Sequence, residues 1–95
     1  MDTIYVRFEI EPFSSVPVGY AVCEFVDGLP TRQVSVVGDR LISSLSGEED
    51  PEIGPTLTES ALEEDWRIEE PELEEVDKEF FEGLWEQANR VGRRP

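Results

Sequence analysis

The sequence predicts an α+β fold in which a four-stranded, largely antiparallel sheet in the N-terminal half is covered by one C-terminal helix. Apolar residues alternate with polar ones in the first half of the chain and recur at helical spacing near its end. A chain of 95 residues with 38% hydrophobic residues can form one modest core. We therefore predict a single domain over residues 1–95, with the sheet in 1–45, an acidic loop or short helix in 46–76, and the helix in 77–92.

The first two strands follow from the spacing of their apolar residues. Thr3–Ile10 alternates with a period of two, which is typical of a strand with one buried face. Residues 11–17 include two prolines and two serines and are predicted to form a loop. Val18–Val26 is apolar on both faces, which predicts a central strand. The predicted core face of the first strand consists of Ile4, Val6, Phe8 and Ile10.

Two turns separate the remaining strands. Asp27–Pro30 is predicted to be a turn, because glycine can adopt positive φ and proline cannot donate a ladder hydrogen bond. Thr31–Val37 is then a third strand and Arg40–Leu45 a fourth. The pair Gly38-Asp39 between them is typical of a two-residue hairpin turn that begins with glycine.

The chain changes composition after the sheet. Residues 46–55 contain two glycines, two prolines and four acids, which predicts a surface loop. Ser60 and Glu63 have the spacing of a capping box, so a short helix is predicted over Ala61–Trp66, ending before Pro71.

The C-terminal helix has signals at both ends. Asp77 can cap it, Val76 can pack against Phe81 as a hydrophobic staple, and Gly92 can end it. No other element has so wide an apolar face, so this helix is predicted to cover the sheet. Its apolar face consists of Phe80, Phe81, Leu84, Trp85, Ala88 and Val91.

Several short motifs resemble a family of small bacterial domains of unassigned function. They are Tyr5-Val6-Arg7, Thr31-Arg32-Gln33-Val34, Gly38-Asp39-Arg40-Leu41 and the segment from Glu79 to Trp85. The family has a histidine in its first loop, where this chain has Glu11-Pro12-Phe13, and its members are less acidic. The resemblance implies a compact sheet-plus-helix domain and brings no catalytic residue with it. In kind, the chain is also similar to stand-alone immunity proteins of bacterial toxin systems.

Charge is the feature that bears most on function. The segment from Glu48 to Glu86 holds 17 of the 23 acidic residues and only two basic ones, and the whole chain has a net charge of −15. Such a field repels nucleic acids and anionic membranes and attracts basic proteins. The acids could form a solvated face without a partner. Their interleaving with apolar residues instead favours a protein interface; those residues are Leu57, Leu62, Trp66, Ile68, Leu73 and Val76.

The composition also excludes common catalytic and metal sites. The chain has no histidine and one cysteine, which excludes Cys/His zinc sites, Ser/His and Cys/His catalytic pairs, and an internal disulfide. Cys23 is predicted to be a buried small hydrophobe. The acids at 48–52 lack the spacing of a calcium loop. We therefore expect no cofactor, no specific metal and no enzymatic activity. The N-terminus lacks the pattern of a signal peptide, which predicts a cytoplasmic protein.

Two classes of function remain open. The first is an inhibitor that occludes the basic, nucleic-acid-binding surface of a partner, such as a nuclease toxin or a nucleic-acid-guided complex, and acts as an immunity protein or a phage anti-CRISPR protein by nucleic-acid mimicry. The second is an adaptor or structural subunit whose acidity serves solubility only. We expect a monomer that binds neither nucleic acid nor membrane directly. Trp66 is either an interface anchor or a core residue. The predicted contact residues are Glu63, Glu64, Asp65, Trp66, Glu69, Glu70, Glu72, Glu74 and Glu75.

Overall fold

The two N-terminal strands form as their residue patterns predict. The computed structural model describes residues 2–10, 19–45, 47–51 and 53–91. Strand β1 (Thr3–Ile10) and strand β2 (Gly19–Val26) pair antiparallel along their whole length. β2 also pairs with β3 (Leu29–Val37), which confirms its predicted central position. Val18 and the predicted loop at 11–17 lie outside the described residues.

The turn between β2 and β3 is shorter than the sequence predicts. Asp27 and Gly28 both have positive φ, 52° and 84°, as a type I′ hairpin requires. β3 begins immediately after them, so the prediction of a turn over Asp27–Pro30 was wrong at its second half. Pro30 is tolerated in the strand because the pairing of β2 with β3 shifts register between Glu24 and Phe25.

The hairpin between β3 and β4 (Arg40–Ser43) is confirmed. Gly38, the first of its two turn residues, has a φ of 58°. β4 ends two residues earlier than predicted, because the Leu45 N–H donates a hydrogen bond to the Ser43 hydroxyl (3.0 Å) and the chain turns there.

The stretch after β4, predicted to be a surface loop, contains a small hairpin. Strand β5 (Glu49–Asp50) pairs antiparallel with β6 (Gly54–Pro55). Asp50 Oδ2 lies 2.6 Å from Arg40 Nη2, which joins this hairpin to β4. Ser46 and Glu52 lie outside the described residues.

A fifth strand extends the main sheet and corrects the predicted number of four. β7 (Glu74–Val76) pairs antiparallel with β1 at Tyr5–Arg7, so the strand order is β4-β3-β2-β1-β7. Its sequence, Glu-Glu-Val, has no strand pattern of its own. It forms because the outer edge of β1 offers backbone partners, and Arg7 Nη1 pairs with Glu74 Oε1 at 3.7 Å.

The C-terminal helix covers one face of this sheet. It spans Lys78–Val91, and we call it α2 because a shorter helix precedes it. Asp77 caps it by accepting a hydrogen bond from the Phe80 N–H (2.8 Å), as predicted. Phe81 is fully buried, whereas Phe80, predicted on the apolar face, is 43% exposed. No helix within the described ranges is long and apolar enough to cross a membrane.

The opposite face of the sheet is covered by residues 57–73, which we call the acidic segment, and the sequence did not predict this cover. Trp66 is buried there with Val6, Cys23 and Phe25. The predicted helix over 61–66 does not form: the Leu62 N–H instead donates to the Gly28 carbonyl (2.7 Å), which holds irregular backbone against the β2–β3 turn. The only helical turn of the segment is α1, Trp66–Glu69. The sheet therefore buries both faces.

Candidate functional site

Six carboxylates surround α1 on the outside of the acidic segment. Five are exposed and Glu70 is half-buried. Their backbone is held in place from below, because Leu62, Trp66 and Leu73 pack onto the sheet. The backbone that carries these acids is therefore fixed in position, although most of it has no regular secondary structure. We call this surface the acidic face; it consists of Glu63, Glu64, Asp65, Glu69, Glu70 and Glu72.

Trp66, one of the predicted contact residues, lies in the core. Its side chain is 3% exposed and packs against the sheet. The Arg67 guanidinium covers the outer side of the indole, 4.7 Å from the ring centroid, and forms an ion pair with Glu75. Of the two alternatives for Trp66, the structure favours the core residue. It supports the acidic face from beneath and is not accessible to a partner.

The predicted contact acids differ in whether the protein itself neutralises them. Glu74 pairs with Arg7, and Glu75 pairs with Arg67. By contrast, none of the six acids of the acidic face forms a salt bridge with a residue in the described part of the chain. The negative charge available to a partner is therefore concentrated at residues 63–72 and is weaker at 74–75.

One exposed apolar residue lies within the acidic face. Ile68 is 81% exposed, the highest value among the exposed large hydrophobic residues of the described chain. Its helical neighbours Asp65 and Glu69 are acids. The sequence placed Ile68 among the interleaved apolar residues but not among the contact residues. Because Trp66 takes the inward position on this four-residue helix, Ile68 is directed to solvent and replaces Trp66 as the candidate apolar contact.

The acidic face continues onto the β2–β3 turn. A surface groove of about 440 Å³ lies between that turn and the acidic segment, and its charged lining residues are four acids, Asp2, Asp27, Glu63 and Glu64, and one base, Arg67. Asp2 and Asp27 are held together, since the Asp2 backbone N–H donates to Asp27 Oδ1 at 3.1 Å. Sequence reasoning missed both acids, because they lie more than thirty residues from Glu63 along the chain and join the face only through the fold.

A second cluster of charged residues lies between the sheet and α2. Arg32 Nη2 lies 2.6 Å from Glu24 Oε2 and 2.8 Å from Glu82 Oε2. The guanidinium also lies 4.9 Å from the Phe81 ring centroid and 5.1 Å from that of Trp85. This arrangement joins α2 to β2 and β3 by a shared cation, with aromatic rings on one side.

The titration properties of this cluster indicate a structural role. Hydrogen bonding to Arg32 lowers the pKa of Glu24 from 4.5 to about 2, although burial opposes the shift. Burial raises the pKa of Tyr5, whose hydroxyl donates to Glu24 (3.1 Å). Thr31 Oγ1 also donates to Glu24 (2.7 Å). Each polar group thus has partners inside the protein, and the cluster stabilises the helix on the sheet.

The remaining reactive group is Cys23. It is a free cysteine that is fully buried, as predicted, and burial raises the pKa of its thiol to about 12. A thiol in this state is a poor nucleophile at neutral pH.

The described residues contain no group of three or more acids or cysteines placed to hold a metal ion. No protein-family model matches the chain, and neither a curated protein nor a solved structure matches it significantly.

Proposed function

We propose that this protein is a non-catalytic inhibitor that binds a basic, nucleic-acid-binding surface of a partner protein through its acidic face. One observation carries the proposal: six carboxylates without an ion pair to the described residues are held on a backbone that packs onto the core through Leu62, Trp66 and Leu73. Residues that stabilise the fold are thus separate from those that present charge. A fixed array of this kind can meet a partner without the cost of ordering a flexible segment.

Electrostatics would determine how the partner is found. A negatively charged surface speeds the encounter with a positively charged surface and suppresses binding to other acidic proteins. Carboxylates spaced along a surface can occupy the positions of phosphates in a nucleic-acid-binding groove. The exposed Ile68 would add an apolar contact that loses its water on binding, next to the acids of α1, and such contacts tend to concentrate binding energy.

Two biological settings use the same physical surface. In the first, the protein is the immunity protein of a nuclease toxin and blocks its substrate groove. In the second, it is a phage anti-defence protein of the anti-CRISPR type, which occludes a nucleic-acid-guided complex. An adjacent toxin gene would favour the first and a prophage neighbourhood the second. In both settings the protein acts as a cytoplasmic monomer.

A pair of charge-reversal variants tests the proposal. The first carries Glu64→Lys, Glu69→Lys and Glu72→Lys on the acidic face. The matched control carries Asp39→Lys, Glu48→Lys and Glu49→Lys, which are exposed acids outside the acidic face and form no ion pair with a described residue. Both variants have the same net charge, so a difference between them reports position alone. Each is used with the wild type to capture partners from lysate of the source cell, and captured proteins are eluted across a salt series.

The proposal expects a basic partner that the wild type and the control retain and that salt releases. The acidic-face variant should bind that partner about 100-fold more weakly, because opposed like charges cost several kcal/mol. Added wild-type protein should then inhibit the partner's nuclease or nucleic-acid-binding activity. Equal loss in both variants would show that net charge alone matters. Salt-insensitive binding retained by both variants would favour the adaptor function instead.

A further inference from the structure

A narrow groove with a largely apolar floor and walls opens beside the acidic face. It has a volume of about 210 Å³ and lies between the sheet and the acidic segment. Its floor is formed by the buried residues Val6 and Phe25. Its walls include the half-buried side chains of Phe8, Leu62 and Leu73. Two hydroxyl side chains also line it; they are Thr58 and Ser60. The cover on this face of the sheet therefore leaves a recess that water or a ligand can enter.

The size of the groove limits what can occupy it. A cavity of about 150 Å³ lined by apolar side chains can hold a benzene molecule. Pockets for drug-sized ligands usually measure about 300 Å³ or more. At about 210 Å³ the groove has space for one apolar side chain and is small for an organic ligand. The best occupant is therefore a single side chain of a protein segment, because the rest of that segment stays outside the groove.

The rim of the groove carries negative charge. Glu70 lines it directly. Glu63 follows the wall residue Leu62 in the chain and Glu72 precedes Leu73, and both are exposed and line neighbouring grooves of the same surface. All three belong to the acidic face. A segment that inserts an apolar side chain would therefore place its flanking residues against carboxylates, which favours lysine or arginine at those positions.

From the combined shape and charge we infer that this groove binds one large apolar side chain, leucine or phenylalanine, from a partner segment in which lysine or arginine flanks it. The inference rests on the proposed function and adds a sequence preference to it. A second copy of this chain is a poor occupant, because it would bring its own acids to an acidic rim.

Two peptides and two variants test the inference. The peptides KRKFKRK and KRKAKRK have equal charge and differ only in the central side chain. Ala61 lines the groove and is exposed, so Ala61→Phe should fill the recess without disturbing the core. Gln87→Phe adds the same ring to an exposed position of α2, on the other side of the sheet, and is the matched control. Affinities are measured by calorimetry, with amide chemical shifts of Leu62 and Leu73 as site reporters.

The wild type and Gln87→Phe should bind KRKFKRK about 10- to 100-fold more tightly than KRKAKRK, as expected for burial of one aromatic side chain. Ala61→Phe should remove this preference and leave the affinity for KRKAKRK unchanged. Equal, salt-dependent affinity of the wild type for both peptides would overturn the inference and leave the proposed function standing. The inference would also fail if neither peptide binds below about 1 mM, or if Ala61→Phe keeps the preference.

Discussion

The two faces of the sheet are buried by different means. Toward α2, Phe81 packs with three buried sheet residues, and toward the acidic segment Trp66 does the same. The cover on the first side is a 14-residue helix with its own hydrogen bonds. On the second side the cover is irregular except for the four residues of α1. Each cover contributes one buried aromatic residue, but the second cover depends on it more, because its backbone has little regular structure of its own.

The two sides also use charge differently. On the α2 side, Arg32 joins Glu24 and Glu82 in a partly buried cluster that holds helix to sheet. On the other side, the six acids of the acidic face point outward and pair with none of the described residues. The charged cluster under α2 is thus part of the fold, whereas among the described residues on the other side only Arg67 and Glu75 form such contacts and the six acids of the acidic face do not.

The largest expected effect on stability comes from truncating the buried aromatic residue of either cover. Phe81→Ala and Trp66→Ala should each lower the free energy of unfolding by about 3 to 5 kcal/mol, because each leaves a cavity where a fully packed ring stood. Chemical denaturation measures both. The two variants should differ in how they open, since we expect the irregular acidic segment to detach while the sheet and α2 remain folded.

Cys23 reports this difference, because it is buried in the same cluster as Trp66. In Trp66→Ala, thiol labelling of Cys23 under native conditions should be about 100-fold faster than in the wild type. The labelling rate should depend little on denaturant concentration, because local opening exposes little surface. In Phe81→Ala, labelling should require global unfolding and depend steeply on denaturant. If both variants show the same denaturant dependence, the two covers unfold as one unit and the comparison fails.

A smaller effect should come from protonating the charged cluster under α2. The pKa of Glu24 is about 2 in the folded protein against 4.5 ordinarily. Because the folded-state pKa is the lower one, its contribution is complete above pH 4.5 and is lost as the pH falls toward 2. The contribution at neutral pH is about 3 kcal/mol.

Glu24→Gln isolates this contribution from that of the other acids. At neutral pH the variant should be about 3 kcal/mol less stable than the wild type, and the gap should narrow toward zero near pH 2. Denaturant titrations at several pH values measure the gap directly. A gap that stays constant with pH would mean that Glu24 contributes through packing and not through its charge.

Local patterns were enough to predict the central part of the fold. The alternation in Thr3–Ile10 predicted β1 at its observed bounds, and the apolar faces of β2 predicted its central position. Asp77 was correctly identified as the cap of α2. These features depend on residues close together in sequence, where spacing and capping chemistry determine the outcome.

Features that depend on distant contacts could not be predicted in this way. β7 exists because β1 has a free edge, and the irregular backbone at Leu62 is held by a hydrogen bond to Gly28, 34 residues earlier. The same contacts turn Trp66 inward and leave Ile68 exposed. The capping box therefore predicted a helix too early in the chain, and Trp66 could not be assigned to core or interface from sequence alone.

The smallest effect on stability should come from the acidic face itself. Neutralising Glu63, Glu64 and Glu72 together, as Gln in each case, should change the free energy of unfolding by less than about 1 kcal/mol, and in the stabilising direction, because exposed like charges repel. Salt should narrow the difference from the wild type by screening that repulsion. Glu75→Gln, which removes the partner of Arg67, is the control and should instead be slightly destabilising. Denaturation at low and high salt measures each variant. A clear loss of stability in the triple variant would show that these carboxylates hold the acidic segment in place, and the separation of charge from fold on this side of the sheet would no longer stand.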